Sequence, residues 1–180
     1  MIPKAAAAMA ELPWSSPTLS LAEVRPVKQV GLRLRPPFPA YLAGIPLALD
    51  ANRVTAFGGV RALWLGPDEW LITAEGDAPD LLPRLDRAIA GRRARVTDLS
   101  SSRVVIAISG AQARDLLAAG CGLDLHPRVF GPGQCAQTLF ARVPVILDQL
   151  DDAPHYRLLV RRSYAAWLVD WMIDAARGLG

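Results

Sequence analysis

The sequence predicts an α+β fold with mostly antiparallel sheets, as one compact domain or as two small halves packed on each other. Three observations carry this. Strand-like and helix-like segments follow one another without the steady βαβα alternation of a doubly wound sheet. A Gly-Pro-Asp turn, Gly66-Pro67-Asp68, joins two short apolar runs as a hairpin. Finally, 180 residues of which 52% are apolar can form a core without disulfide or metal staples.

Residues 1–26 read as an arm, because Pro3, Pro13, Pro17 and Pro26 interrupt any long helix or strand. Trp14 within it calls for a groove to fill, on this chain or on a partner. From Lys28, the residues Val30, Leu32 and Leu34 alternate with Gly31, Arg33 and Arg35 at the period of a half-buried strand, which Pro36-Pro37 stops. The hairpin strands cover 60–65 and 70–74 and carry Trp64 and Trp70. Next, Leu81, Leu82, Leu85 and Ile89 fall at helical spacing within 80–90, opposite Arg84, Asp86 and Arg87.

A strand over 103–108 then leads to Ser109 and Gln112, a capping-box pattern before a helix over 113–119 that Gly120 closes. Further strands are expected over 134–141, 143–147 and 156–161, with Pro144 pointing to an edge or a bulge. The last helix follows Ser163 as a cap and repeats Tyr164, Trp167, Leu168, Trp171, Met172 and Ala175 at three- and four-residue steps.

Composition excludes several functions. A net charge of +3, from 20 basic and 17 acidic side chains scattered along the chain, is a weak field for binding nucleic acid. The densest basic stretch, Arg92, Arg93 and Arg95, lacks interleaved aromatics and reads as a solvated turn after a helix. No segment approaches the roughly 20 apolar residues needed to span a membrane, and the start lacks a secretory core, so a cytoplasmic protein is expected.

Ser100, His126 and Asp98 supply the residue types of a nucleophile, base and acid, but no nucleophile elbow positions them, and local turn bonding explains Asp98 and the serines better. Asp148, Asp151 and Asp152 lack the glycine and terminal Glu of a calcium loop and read as a solvated turn. Gly131-Pro132-Gly133 has no following lysine and reads as a tight turn, not a phosphate cradle. Cys121 and Cys135 belong to no CxxC pair or Cys/His cluster and read as buried structural thiols, and His155 stands beside aspartates without metal-ligand spacing. The residues thus point to no catalytic, cofactor-binding or metal-binding set. Trp167 and Trp171, four apart on one helix face, hint at a partner-binding surface, to which Trp14 is added.

Several phrases in order resemble the gamma-subunit family of heterotetrameric sarcosine oxidases. They are Trp64-Leu65-Gly66-Pro67-Asp68-Glu69-Trp70-Leu71-Ile72, Asp98-Leu99-Ser100 through Ile108-Ser109-Gly110, Ala111 to Leu117, Cys121-Gly122-Leu123-Asp124-Leu125, Phe130-Gly131-Pro132-Gly133, Gln137-Thr138, and a closing helix with Ser163, Trp167 and Trp171. The resemblance covers roughly 28–176. That family is itself similar to the folate-binding fold of aminomethyltransferases, which implies two packed α+β subdomains, here within 27–180 and dividing near residue 96. It also implies partners: an alpha subunit with dinucleotide (NAD) and tetrahydrofolate sites, a beta subunit with flavins, and a zinc-binding delta subunit. In such an assembly sarcosine is oxidatively demethylated to glycine and the one-carbon unit passes to tetrahydrofolate. This chain is expected to hold no cofactor and to act as a scaffold. Ala119-Gly120-Cys121-Gly122 matches only the Gly-Cys centre of the motif that serves folate-dependent repair proteins of this fold. The alternatives implied are a stand-alone folate-binding or aminomethyltransferase-like protein and the equivalent subunit of an N-methylglutamate dehydrogenase.

Overall fold

The computed structural model describes residues 9, 11–25 and 27–179. It divides into two compact units, one formed by residues 1–24, 102–132 and 136–180 and the other by 25–101 and 133–135. Residues 1–8, 10 and Pro26 of the expected arm lie outside the described residues.

The first unit is built on a six-stranded sheet in the order β1-β2-β10-β13-β12-β11, namely Trp14–Ser15, Ser20–Val24, Arg103–Ser109, His155–Arg161, Val143–Asp151 and Cys135–Phe140. Helices α2 (Ala113–Gly120) and α3 (Arg162–Arg177) accompany it among the described residues. Alternation along the strands sends Val104, Ile106 and Ile108 to the same core as Tyr156, Leu158 and Val160, where Leu116 and Leu117 of α2 and Leu168, Val169 and Met172 of α3 meet them. The segment read as an arm contains β1 and β2. Ser20–Val24 pairs antiparallel with β10, and Leu19 and Leu21 are buried in the core. The prolines flank these strands, so they limit strand length without preventing pairing.

The second unit is a five-stranded sheet in the order β6-β7-β8-β3-β9, comprising Val54–Phe57, Val60–Gly66, Glu69–Glu75, Val27–Leu34 and Ala94–Asp98. A two-stranded ribbon, β4 (Tyr41–Leu42) with β5 (Ile45–Pro46), and helix α1 (Leu81–Ala88) accompany it. Val30, Leu32 and Leu34 share a core with Trp70, Ile72, Leu81 and Leu85. The Gly-Pro-Asp hairpin forms as expected, with Trp64 opposite Trp70 and a bulge between Trp64 and Gly66. Trp70 is fully enclosed. Its indole N–H donates to the Ala48 carbonyl at 2.7 Å, and Phe38 packs edge-on at 5.4 Å.

Two expected caps differ. Gln112, not Ser109, precedes α2, and its side chain makes no cap bond; its amide donates to the Leu179 carbonyl at 2.7 Å and its Oε1 accepts from the Thr18 hydroxyl. Helix α3 starts at Arg162, which places Ser163 inside the first turn, with Arg161 at the boundary and no side-chain cap. At α2 the strand runs on to Ser109 and tertiary bonding takes the Gln112 side chain, whereas at α3 the helix follows directly on the last residue of β13.

Candidate interaction surface

Asp98, at the end of β9, accepts three hydrogen bonds. Lys28 Nζ reaches Oδ2 at 2.5 Å, while the Ser100 hydroxyl and backbone N–H reach Oδ1 at 2.6 and 2.9 Å. The Lys28 bond, followed by those from Ser100, holds the Asp98 carboxyl down at about 2. A carboxylate that acidic is a weak base, and the Ser100 hydroxyl, donating to it, also accepts the Gln29 N–H at 3.1 Å. The arrangement therefore locks β9 to β3 and does not activate a nucleophile. His126 sits in the other unit, where its Nδ1 accepts the Arg128 N–H at 3.2 Å and its own N–H donates to Asp124 Oδ1 at 2.9 Å. Both bonds define a local turn.

The acidic run is not one feature. Asp148 is buried within β12 opposite Arg157, as expected for a charge kept inside a sheet beside an opposite one, whereas Asp151 bonds His155 Nδ1 at 2.8 Å across the hairpin end. β12 runs on to Asp151, with Asp148 and Gln149 buried, past the Leu147 at which the strand read from sequence stopped. Cys121 is buried, with Sγ 3.6 Å from Thr138 Oγ1 and accepting the Leu123 N–H at 3.5 Å. Buried Cys135 directs its Sγ to the Trp64 carbonyl at 3.4 Å. Gly131-Pro132-Gly133 leads into a turn whose Gly133 carbonyl accepts the Val54 N–H. Among the described residues no group of three or more His, Cys, Asp or Glu has the geometry to hold a metal.

The three tryptophans singled out occupy different settings. Trp14, in β1, is half-buried and packs against the core of its own unit. Trp171 is half-buried on α3 and meets Phe140 edge to face at 5.2 Å. Trp167, one turn earlier, is 52% exposed, and Tyr164, three residues before it, is 45% exposed. These two form an aromatic patch at the N-terminal half of α3. Tyr164 was legible as a periodic residue but not as an exposed one, since periodicity alone does not say how wide a face the core covers. No helix among the described residues is long and apolar enough to cross a membrane.

The model of the sarcosine oxidase, gamma subunit family matches residues 39–178. The chain belongs to that family. Sarcosine oxidase subunit gamma of Corynebacterium sp. (strain U-96) is 36% identical over 163 residues, covering 87% of this chain and 78% of that protein. The Arthrobacter sp. subunit gamma is 36% identical over 162 residues, covering 86% and 78%. A chain of the heterotetrameric sarcosine oxidase from Corynebacterium sp. U-96, solved in complex with pyrrole 2-carboxylate, superposes with a TM-score of 0.83 at 37% identity over 95% of this chain and 90% of that one. The glycine cleavage system aminomethyltransferase T from Bartonella henselae, at 15% identity, shares the fold, with a TM-score of 0.65 over 96% of this chain and 49% of that one. The phrases that resemble the sarcosine oxidase gamma subunit family fall on the β7–β8 hairpin, on the β9–β10–α2 succession and on α3. They are thus mainly positions that build sheets and helix packing.

Proposed function

We propose that this chain is the gamma subunit of a heterotetrameric sarcosine oxidase and serves it as a non-catalytic assembly subunit in the cytoplasm. The 36% identity to sarcosine oxidase gamma subunits over 87% of the chain carries this reading. The hydrogen bonds of Asp98 and Ser100, which tie β9 to β3, support it. Oxidative demethylation of sarcosine to glycine takes place on the partner subunits: alpha with NAD and tetrahydrofolate, beta with the flavins, and delta with zinc. This chain contributes surface, and the Tyr164–Trp167 patch is the part of α3 that a partner covers. Trp14 and Trp171 hold β1 and α3 on the core of the same unit.

The test is co-expression with the alpha, beta and delta subunits. One complex that contains this chain and bound flavin is expected; a flavin-containing complex that assembles fully without it would overturn the reading.

A further inference from the structure

The outer side of α3 continues beyond its two exposed aromatics. At helical spacing Tyr164, Trp167, Asp170 and Asp174 lie along one stripe about 15 Å long, opposite the buried Val169, Met172 and Ala176. All four residues of the stripe are exposed. Neither aspartate makes an ion pair or a side-chain hydrogen bond among the described residues, and neither does Arg177, three residues past Asp174. The placement is locally unfavourable on two counts. Like charges four residues apart on a helix repel each other. Asp174 also stands in the last turn of α3, where the free carbonyl groups already make the helix end negative. The stripe therefore offers two aromatic rings at one end and two carboxylates without a counter-ion at the other.

We infer that this stripe receives a segment of a partner subunit in which an arginine stands beside apolar side chains; the inference rests on the subunit reading above. Trp167 and Asp170 are three residues apart and Asp170 and Asp174 four, so one indole and two carboxylates border the same piece of surface. A guanidinium suits it, because its flat face stacks on an indole while its N–H groups donate to carboxylates. The added cation removes both the repulsion between Asp170 and Asp174 and the conflict of Asp174 with the helix end. The apolar neighbours of that arginine cover Tyr164 and the remainder of the Trp167 ring. The sign of the charge turns away an anionic membrane surface or a nucleic acid. A free small cation finds no enclosure on the convex side of a helix, whereas a segment is held there by the rest of its subunit.

The experiment uses the co-expressed complex, with two double substitutions in this chain: Asp170→Asn with Asp174→Asn, and Asp170→Lys with Asp174→Lys. Asp50→Lys with Asp86→Lys, at two exposed aspartates of the other unit, controls for the change in charge. The charge reversal on α3 is expected to lower the fraction of this chain retained with its partners about tenfold or more, and the asparagine pair about threefold. The complex that remains with the asparagine pair is expected to be less sensitive to salt than wild type. The control is expected to keep the wild-type yield. In the whole chain purified alone, the asparagine pair is expected to hold or raise the denaturation midpoint, since the repulsion on the helix goes with the charges. A lowered midpoint together with lowered retention would overturn the inference, because the aspartates would then act within the chain. Wild-type retention of the charge reversal, or an equal loss in the control, would overturn it while leaving the subunit reading intact. Failure of the wild-type chain to co-purify would overturn the subunit reading and the inference with it. A salt-sensitive dimer of the chain alone, lost on charge reversal, would also overturn it, in favour of a second copy as the occupant.

Discussion

Trp171 and Phe140 meet edge to face, with ring centroids 5.2 Å apart and planes at 85°, and so pin the last helix to strand β11. Gly120, at the end of α2, makes this possible. A Cβ there would lie 2.8 Å from the Phe140 ring and 2.9 Å from the Trp171 ring. A Gly120→Ala substitution is expected to cost about 1–3 kcal/mol through overpacking, read as a lower denaturation midpoint at constant slope. An unchanged midpoint would show that the rings yield freely.

Trp171 and Trp167 should separate stability from assembly. Trp171→Ala opens a cavity beside Phe140 and is expected to cost about 3 kcal/mol in unfolding of the complex-free chain. Trp167→Ala is expected to change stability by less than about 0.5 kcal/mol while weakening co-purification with the partners. Equal effects of the two substitutions on both readouts would contradict the division of roles.

Asp98 sets an acid limit on the second unit. Its folded-state value is depressed from 3.8 to about 2, chiefly by the Lys28 hydrogen bond and then by Ser100. Its contribution is therefore present above the unfolded value and is lost as pH falls through the folded one. With 44% of the carboxylate side chain exposed, solvent screening reduces the contribution to on the order of 1 kcal/mol. Asp98→Asn is expected to flatten the stability profile between roughly pH 4 and pH 2, and an unaltered profile would show that Lys28 and Ser100 do not act through this group.

Gly110 and the first strands make a further test. Gly110 has φ +111, and a Cβ on it would run into the Thr18 carbonyl that leads into β2. Gly110→Ala is expected to destabilise by well over about 1 kcal/mol, and Leu21→Ala, the fully buried side chain of β2, by about 2–5 kcal/mol. Near-neutral effects of both, measured by denaturation, would mean that β2 contributes little to the sheet.

Where apolar alternation and turn chemistry agreed, the sequence was readable. The β7–β8 hairpin, β3, β10, β13 and helices α1, α2 and α3 follow from period and punctuation, because each buries a regular stripe. Strand β2 was hidden by its prolines. Strand β9 was hidden by its composition, since Arg95, Thr97 and Asp98 are exposed and only Val96 and Ala94 pack inward. The capping pattern at Ser109 misled because strand pairing extends to it and tertiary partners take Gln112, and that at Ser163 because the helix already starts at Arg162. The cross-strand pairing of Arg103 with Arg161 was not legible at all, because two residues 58 positions apart meet only once the register of β10 and β13 is known.

The most direct measurement of the central claim is isolation of this chain, tagged at its own locus, from its native cell, with the subunit composition and flavin absorbance of the complex determined together. The account expects one heterotetrameric complex that carries flavin, oxidises sarcosine and contains this chain in a 1:1 ratio with each of its three partners. Recovery of the chain alone, while flavin and sarcosine oxidation elute in a complex without it, would contradict the account.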